Sequence, residues 1–280
     1  MKAIDIFEDD PSGFLPVLGE DLSDDLKRLY YRGIGVKDDE GKPLAAMVCE
    51  LMNVDGDEET ESRICFLQPG SKEAFDVLHG YYLENMVPEE EISGSAYELA
   101  EEEAAKALSG VGFSGERKES ENVVVTLGQL QKSKLVKTQK PPAHIRDIGS
   151  LSVPQYRDAL KKILFRGHNG ILEDIAYLPM NWFDTDISSC VVSGDLIPGL
   201  FLIRKTPSGM LIPALYFAYG ADFKRNLLYM LTYSAQKAMQ CYPPETPVLI
   251  MRKNAPIRSL SDKLIPGQKG AEVFCGMRKE

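Results

Sequence analysis

The chain has 280 residues, which is long for one ordinary domain core and comfortable for two domains of about 130–140 residues each. Its 44% hydrophobic and 26% charged residues are typical of globular proteins and exclude a disordered, collagenous or low-complexity chain. The longest near-apolar stretch, residues 210–221, is interrupted by Pro213 and is too short to span a bilayer. The N-terminal residues, MKAIDIFEDD, turn acidic at once and lack the apolar run of a signal peptide, so we expect a cytoplasmic protein with no membrane partner.

The cysteines indicate neither a disulfide framework nor a structural zinc site. They are scattered, odd in number and include no CxxC pair: Cys49, Cys65, Cys190, Cys241 and Cys275. The acidic segment NVDGDEET lacks the ligand spacing of a calcium loop. We therefore expect no metal.

Charge is divided unevenly along the chain. Residues 1–128 hold 11 Lys+Arg against 30 Asp+Glu, a net charge of −19, whereas residues 129–280 hold 21 against 12, a net charge of +9. The acidic half would repel nucleic acid, so we expect no nucleic-acid partner, and the basic half is suited to an anionic ligand. An acidic surface that merely keeps the protein soluble explains the same numbers.

A change of composition separates the halves. Residues 128–142 read GQLQKSKLVKTQKPP, with many lysines and glutamines, a Pro-Pro pair and no sustained apolar period. That composition is typical of a linker. We predict an acidic domain over residues 1–128, a linker over 129–142 and a basic domain over 143–280.

Apolar periodicity and turn residues predict the elements of the first half. The segment DDEGKP joins two strands as a hairpin, and Ser71 with Glu73 marks the start of a helix. In chain order we predict a strand over 2–7, two short helices over 11–29, strands over 32–36, 44–52 and 61–67, a helix after residue 71, a strand over 95–99, a helix over 101–108, and a closing strand pair over 113–118 and 122–127.

The second half repeats this order, which favours two copies of one supersecondary plan over two unrelated domains. In chain order we predict a strand over 144–151, helices over 153–165 and 171–182, strands over 188–192, 199–204 and 210–219, a long helix over 223–239, a strand over 247–252, a helix over 256–264, and a closing strand over 271–277.

This order resembles that of the GNAT acyltransferase superfamily. The closest local match is residues 101–127, where Ala104 and Leu108 take the inward positions of a helix that ends in Gly112-Phe113 before a strand pair. Residues 254–264, NAPIRSLSDKL, resemble the same helix preceded by its Asn. The resemblance implies an α+β fold of two tandem GNAT-like domains, each a mixed splayed sheet flanked by helices.

The resemblance also implies acetyl-CoA as cofactor, bound at the turn between the fourth strand and the next helix. The family pattern there is Arg/Gln-x-x-Gly-x-Gly/Ala, whose glycines let backbone N–H groups approach a pyrophosphate. In the second half the candidate residues are Tyr219, Gly220, Ala221, Lys224, Arg225 and Asn226, and Phe217 stands where Arg or Gln is expected.

The corresponding turn of the first half departs further from the pattern. It carries Pro69, which removes one N–H donor, a single Gly70, and Glu73 near the expected phosphates. We therefore expect no CoA there. A second partial match, Gly33 with Gly35, precedes the hairpin and is better explained as strand glycines at a bulge or a close approach.

Candidate substrate residues follow the second helix of the basic half. They are Tyr177, Trp182 and Phe183 in YLPMNWFD, and the resemblance implies that this region lines the groove for a small-molecule or peptide amine. The alternative is that Trp182 packs its helix onto the sheet. Leu108 occupies the position of the family's acidic Tyr, and the matching region of the second half offers Ser259 and Ser261, so no catalytic acid or base is nominated.

Two hypotheses follow. The first is an N-acetyltransferase that transfers an acyl group from acyl-CoA to an amine, with the second half as the working domain. The alternative is a catalytically lapsed tandem GNAT-like protein that binds a ligand or protein partner without turnover. The residues predict no oligomeric state.

Overall fold

The computed structural model of the chain describes residues 1–53, 60–138, 140–165, 175, 178–252 and 255–279. The chain divides into two compact units. Unit 1 comprises Met1–Ser120 together with Ala271–Glu280, and unit 2 comprises Glu121–Gly270.

The element order of unit 1 follows the predicted order. Its elements are β1 (Lys2–Asp5), α1 (Ile6–Asp9), α2 (Leu15–Asp25), β2 (Tyr31–Lys37), β3 (Pro43–Asn53), β4 (Thr60–Gln68), α3 (Lys72–Tyr81), a π-helical turn (Tyr82–Met86), α4 (Val87–Glu89), β5 (Ile92–Leu99), α5 (Glu102–Ser109), β6 (Ser114–Glu119) and β13 (Glu272–Lys279). Gly19 interrupts α2 with a φ of 73°, so this segment forms two short helical pieces, as predicted.

The strands of unit 1 form one seven-stranded sheet in the order β1-β2-β3-β4-β5-β13-β6. Neighbouring strands are antiparallel except β4 and β5, which are parallel. Alternate residues of β3 enter opposite cores: Met47 and Cys49 pack with α3, whereas Ala46 and Val48 pack with α2. Both faces of the sheet are therefore covered by helices.

Gly33 and Gly35 provide the space in which α2 packs on β2. A Cβ atom at Gly35 would lie 2.2 Å from the ring of Phe14, and one at Gly33 would lie 2.9 Å from Leu26. The interpretation of both residues as strand glycines at a close approach is confirmed.

Unit 2 repeats the plan. Its elements are β7 (Asn122–Thr126), α6 (Leu127–Gln131), α7 (Lys134–Thr138), β8 (Ile145–Asp147), a 3₁₀ turn (Ile148–Ser150), α8 (Val153–Leu164), a second 3₁₀ turn (Met180–Trp182), β9 (Ser189–Ser193), β10 (Leu196–Lys205), β11 (Leu211–Ala218), α9 (Phe223–Cys241), β12 (Pro247–Met251) and α10 (Ala255–Leu264). Most of the predicted helix over 171–182 lies outside the described residues.

The strands of unit 2 form a six-stranded sheet in the order β8-β9-β10-β11-β12-β7, and β11 and β12 are its parallel pair. Phe201 and Ile203 of β10 face the core beneath α9, whereas Leu200 and Leu202 face the core beneath α8. Counted from β1 in unit 1 and from β8 in unit 2, the first five strands of the two sheets follow the same order. In both sheets the fourth and fifth of these strands are the parallel pair.

The closing strands contradict the predicted domain boundaries. β6 and β7, predicted as a pair, lie in different sheets, and β13, predicted to close the second half, lies between β5 and β6 of unit 1. β7 pairs antiparallel with β12 of unit 2 over five register positions. The boundaries at residues 128 and 143 are therefore wrong, because each half supplies one strand to the other half's sheet.

The predicted linker also has structure. Residues 129–142 include the end of α6 and all of α7, and the side chains of Leu130 and Val136 are buried in the core of unit 2. Thr126 starts α6 with a reciprocal capping box that involves Gln129. Polar composition concealed two short helices, each of which buries an apolar residue.

Within the described parts of the chain, none of the helices combines the length and apolar character that crossing a bilayer requires.

Candidate functional site

The parallel strands of unit 2 separate almost as soon as they begin. β11 and β12 share a single register position, Leu211 with Val248. Beyond it β11 continues to Ala218 beside β10, while β12 continues beside β7. Beyond that position the described strands form no ladder on the β12-facing edge of β11.

A cavity of about 410 Å³ lies in the opening between these strands. Its walls come from β10, β11, β12, α6, α9 and α10, and 18 of its 21 lining residues have apolar side chains. Leu211 and Val248 close the end where the strands pair, and Phe217 lines it near the C-terminal end of β11.

The polar side chains of the cavity are Ser234, Ser261 and Tyr216. The Ser234 hydroxyl donates to Ser189 Oγ at 2.8 Å, and Ser261 Oγ accepts from Arg252 Nε at 2.9 Å. Burial raises the pKa of Tyr216, so its hydroxyl stays protonated at neutral pH. Both serine hydroxyls are thus engaged within the protein, whereas Tyr216 is a neutral donor at the wall.

The turn from β11 to α9 and the first residues of α9 hold all six predicted cofactor residues. Gly220 has a φ of 91°, and a Cβ atom there would have no neighbour within 4 Å. The Tyr219 N–H donates to Pro198 O at 2.9 Å, and the Asn226 N–H donates to Asp222 O at 2.9 Å. Residues 220–225 are exposed, so the turn presents an open, glycine-containing backbone to solvent.

The start of α9 has the properties of an anion site. Its first N–H groups have no intrahelical acceptor, and the Asp222 side chain does not cap them. Lys224 and Arg225 bring positive charge to this turn, and Arg225 lies 3.7 Å from the carboxylate of Asp222. Open glycine backbone, free donors and basic side chains fit a phosphate group, and the Asp222 carboxylate opposes it.

The matching turn of unit 1 is closed by the protein's own groups. A Cβ atom at Gly70 would lie 2.2 Å from the carbonyl oxygen of Leu44, so this glycine packs against β3. Ser71 caps α3 by accepting the Ala74 N–H at 3.2 Å. The backbone N–H of Glu73 and the Ser71 hydroxyl lower the pKa of the Glu73 carboxyl. A carboxylate already lies at this helix start.

The parallel strands of unit 1 stay together for longer. β4 and β5 share five register positions, from Thr60 with Ile92 to Ile64 with Tyr97. A buried hydroxyl cluster joins them: Ser62 lies 2.5 Å from the Tyr82 hydroxyl and 3.2 Å from Ser95, and Tyr82 also bonds Ser95. Side chains thus fill the region beside this strand pair.

The predicted substrate residues Phe183 and Trp182 lie in different environments in the structure. Phe183 is 3% exposed and belongs to the core beneath α8, so packing explains it better than ligand contact. Trp182 is half-buried, and the guanidinium of Arg204 lies 4.8 Å from its ring centroid, as the packing alternative expects. Neither residue lines the cavity. Tyr177 lies outside the described residues.

The residues that correspond to the family's acidic tyrosine offer no comparable acid. Leu108 of α5 is buried, Ser259 of α10 is exposed, and Ser261 is bonded to Arg252. Sequence reasoning missed Tyr216, which the alternation along β11 could have placed on the face opposite Leu215.

Comparison with known proteins shows the fold. No family model and no curated protein matches the chain. Among solved structures, a tandem GNAT protein from the clavulanic acid biosynthesis pathway matches 99% of this chain and 98% of its own, with a TM-score of 0.64 and 10% identity.

Two other solved structures support the same fold. A glucosamine N-acetyltransferase region of a fungal multi-domain beta-N-acetylglucosaminidase matches with a TM-score of 0.60 and 10% identity over 99% of this chain, which spans 38% of that chain. Saccharomyces cerevisiae N-myristoyltransferase with bound myristoyl-CoA matches with a TM-score of 0.56 and 13% identity, over 99% of this chain and 78% of its own. The chain has the fold of tandem GNAT N-acetyltransferases, α+β with two mixed sheets flanked by helices, and the predicted resemblance is confirmed.

Proposed function

We propose that the protein is an acyl-CoA-dependent N-acyltransferase whose working domain is unit 2. The observation that carries this proposal is the separation of β11 from β12, together with the helix start without a side-chain cap that follows β11 in the chain. The cavity runs along β11, and the exposed turn at Gly220 follows the end of that strand. One ligand with an anionic head and an extended arm could reach both.

Acyl-CoA, when bound, supplies an acyl group activated as a thioester. Gly220, Lys224 and Arg225 would hold its pyrophosphate, with the first N–H groups of α9 as donors. Backbone N–H groups on the β12-facing edge of β11 could stabilise negative charge on a carbonyl oxygen. Tyr216 offers a protonated hydroxyl at the same wall.

The proposed acceptor is an amine. The solved structures with this fold include a region named as a glucosamine N-acetyltransferase and a protein named as an N-myristoyltransferase, so a small-molecule or peptide amine is the chemistry to test. Trp182 exposes part of its ring beside β10 and is our candidate for the approach of that amine. The described cysteines are all free thiols, which suits a reducing compartment such as the cytoplasm.

The test is the thermal shift of the full chain with CoA and with acetyl-CoA at millimolar concentration. Wild type should shift upward with both. Lys224→Glu combined with Arg225→Glu should abolish the shift without lowering the ligand-free melting temperature much, since both side chains are exposed. The matched control is Lys263→Glu with Lys269→Glu, which makes the same charge change at exposed positions of unit 2 and should keep the shift.

Two results would count against this assignment. If wild type shows no shift, the proposal loses its support. If the shift survives the Lys224 and Arg225 reversal, CoA binds somewhere other than the α9 turn.

The lapsed alternative has its own support, because Ser261 is bonded to Arg252 and the acid-bearing helix offers no tyrosine. Mass spectrometry of reactions with acetyl-CoA and a panel of amines, including glucosamine and short peptides with free amino termini, separates the two. Binding together with an acylated product supports the enzyme. Binding without any product supports the lapsed protein.

A further inference from the structure

We infer that a second cavity, in unit 1, binds an organic cation: an amine or guanidine joined to an apolar or aromatic body. The cavity has a volume of about 420 Å³, within the range of about 300–1,000 Å³ that is typical of small-molecule sites. All of its lining residues belong to unit 1 and to the described part of the chain. The site involves neither the cavity of unit 2 nor the α9 turn, so this inference goes beyond the proposed function and does not rest on it.

The cavity lies at the opposite end of α3 from the turn that corresponds to the family's cofactor turn. Ser71 caps the start of α3, Tyr81 is its last residue, and ten helical residues span about 15 Å. Of these two residues, only Tyr81 lines the cavity. The other walls come from the end of β1 with α1, from the segment that leads from α2 into β2, and from residues 86–90. The cavity is thus separate from the place where the family holds its cofactor.

An irregular helical stretch builds one of these walls. After Tyr81 the chain forms the π-helical turn and then α4, and Met86 and Glu89 from these two elements line the cavity together with Tyr81. The π-helical turn changes the α-helical spacing and so sets where Met86 and Glu89 lie relative to Tyr81. Such turns are rare in proteins and occur frequently at functional sites.

The cationic side chains of the lining are already engaged within the protein. Arg32 Nε lies 2.5 Å from a carboxylate oxygen of Glu90, and Arg32 also donates to two backbone carbonyl oxygens. Lys27 pairs with Asp24 at 3.0 Å. The guanidinium of Arg28 lies 5.1 Å from the centroid of a tyrosine ring. These groups are therefore not free to hold an anionic ligand.

The other carboxylates of the lining have no such partners. Among the residues that the structure describes, Glu8 and Glu89 form no ion pair, and the Asp5 carboxylate accepts the backbone N–H of Glu8 at 2.9 Å. Burial, and then the carboxylates of Asp5, Asp9 and Glu89, raise the pKa of Tyr81, because these negative charges lie near its hydroxyl. The cavity therefore has an excess of negative charge that a cation can balance.

The apolar part of the lining indicates the rest of the ligand. Leu26, Ile34 and Met86 line the cavity with almost fully buried side chains, whereas Phe7 lines it with 50% of its surface exposed. Phe7 and Tyr81 bring aromatic rings, whose faces attract an ammonium or guanidinium group. An apolar body that contacts Phe7 removes its exposed surface from water, which is favourable. One molecule with a positive group and an apolar body satisfies both parts of the lining.

A metal ion fits this cavity less well. Within the described residues, no three His, Cys, Asp or Glu side chains are grouped as a metal ion requires. The carboxylates instead lie around a cavity of about 420 Å³ that also contains aromatic rings. This arrangement favours an organic cation over a bare ion.

The first experiment measures dissociation constants of the full chain by titration calorimetry with three probes that share one phenylethyl body: phenethylamine, 2-phenylethanol and 3-phenylpropionate. Phenethylamine should bind at least about 10-fold more tightly than the neutral alcohol, because carboxylates and aromatic rings both attract the ammonium group. The anionic probe should give no heat of binding, because it carries the same charge as the free carboxylates. Ethylamine, which keeps the charge without the ring, should bind at least about 10-fold more weakly than phenethylamine.

Variants then test whether the cavity of unit 1 is responsible. Glu8→Gln combined with Glu89→Gln keeps the shape of two exposed side chains and should weaken phenethylamine binding by about 10-fold, with no change for 2-phenylethanol. The matched control is Glu20→Gln with Glu103→Gln, which removes two carboxylates from exposed positions of unit 1 outside the cavity and should behave as wild type. Phe7→Ala should weaken the binding of phenethylamine more than that of ethylamine.

The outcomes separate this inference from the proposed function. Equal affinity for the amine and the alcohol overturns the inference, and so does the absence of phenethylamine binding. Phenethylamine binding that is unchanged in the Glu8 and Glu89 variant also overturns it, and if that binding requires CoA it belongs to the proposed acceptor site of unit 2. Loss of phenethylamine binding in this variant, with the CoA-induced thermal shift retained, supports a separate site in unit 1. Failure of CoA to bind counts against the proposed function alone.

Discussion

The parallel strand pairs of the two units show how one topology yields a filled core in one place and a cavity in another. β4 and β5 share five register positions, whereas β11 and β12 share one. Beside the longer ladder, Tyr82 fills the space and bonds serines on both strands. Beside the shorter one lies a cavity of about 410 Å³ whose lining is almost entirely apolar. The longer ladder thus goes with a filled core in unit 1, whereas the shorter ladder goes with a candidate binding cavity in unit 2.

The starts of α3 in unit 1 and α9 in unit 2 show the same contrast between the two units. The start of α3 is capped by Ser71 and approached by Glu73, whereas that of α9 has no side-chain cap and carries Lys224 and Arg225. Unit 1 holds 13 Lys+Arg against 31 Asp+Glu, and unit 2 holds 19 against 11. Local groups and net charge therefore both direct an anionic ligand to unit 2.

The largest expected effect comes from removing β13. Deletion of residues 271–280 removes two ladders of six register positions each and separates β5 from β6. We expect unit 1 to lose its cooperative unfolding transition and its protection from hydrogen exchange, while the amides of unit 2 stay protected. Exchange mass spectrometry measures both units in one sample, and deletion of residue 280 alone serves as control. Loss of protection in unit 2 would contradict the assignment of β13 to unit 1.

A matched pair of glycine substitutions sharpens the comparison of the two turns. Both Gly70 and Gly220 have positive φ, which costs an alanine about 1 kcal/mol or more. Gly70→Ala also forces a Cβ against the carbonyl of Leu44, whereas Gly220→Ala meets open space. We expect Gly70→Ala to be the more destabilising, by about 2 kcal/mol more in urea unfolding. Equal losses would show that the α3 turn is not closed.

Two tyrosines test the filling of the strand pairs. Tyr82→Phe removes a hydroxyl that bonds both Ser62 and Ser95, and we expect it to destabilise the protein by about 1–2 kcal/mol. Tyr216→Phe is the control, because within the described part of the chain its hydroxyl forms no hydrogen bond, so its effect should stay within about 0.5 kcal/mol. Chemical unfolding measures the free energy of unfolding of both variants. An unchanged value for Tyr82→Phe would argue against the hydroxyl cluster.

The smallest expected effect is a pH dependence at the start of α3. Hydrogen bonding lowers the pKa of Glu73 below its ordinary 4.5 in the folded protein. Its contribution to stability is therefore present above pH 4.5 and is lost as the pH falls through the folded-state pKa. Glu73→Gln should flatten the fall in melting temperature below pH 4.5, and Asp76→Asn, one turn further along α3, should not. Identical curves for the three proteins would leave Glu73 without a capping role.

Local patterns predicted most of the elements and their order, but not α6 and α7. Ser71 starts a helix as predicted, and the two short helices predicted over residues 11–29 are present, with the break between them at Gly19. The resemblance placed the candidate cofactor residues at 219–226, and residues 220–225 of this stretch are exposed.

The partners of the closing strands were not predictable in the same way. NVVVT and EVFCGMRK both read locally as strands, but which sheet each joins depends on residues more than 100 positions away. The cavity was equally hidden, because Leu260 and Leu264 of α10 have the spacing of ordinary core residues. Space left between apolar side chains has no sequence signal of its own.

The strand that completes unit 1 has a consequence for synthesis on the ribosome. Domains generally emerge and fold from the N-terminus, at about 5–20 residues per second. Here all 150 residues of unit 2 are made between β6 and β13, so β5 and β6 wait roughly 8–30 s for the strand that joins them. The second unit can therefore finish folding before the first. During that wait the charged, fully exposed β6, SGERKE, is poorly suited to pair with strands of other nascent chains.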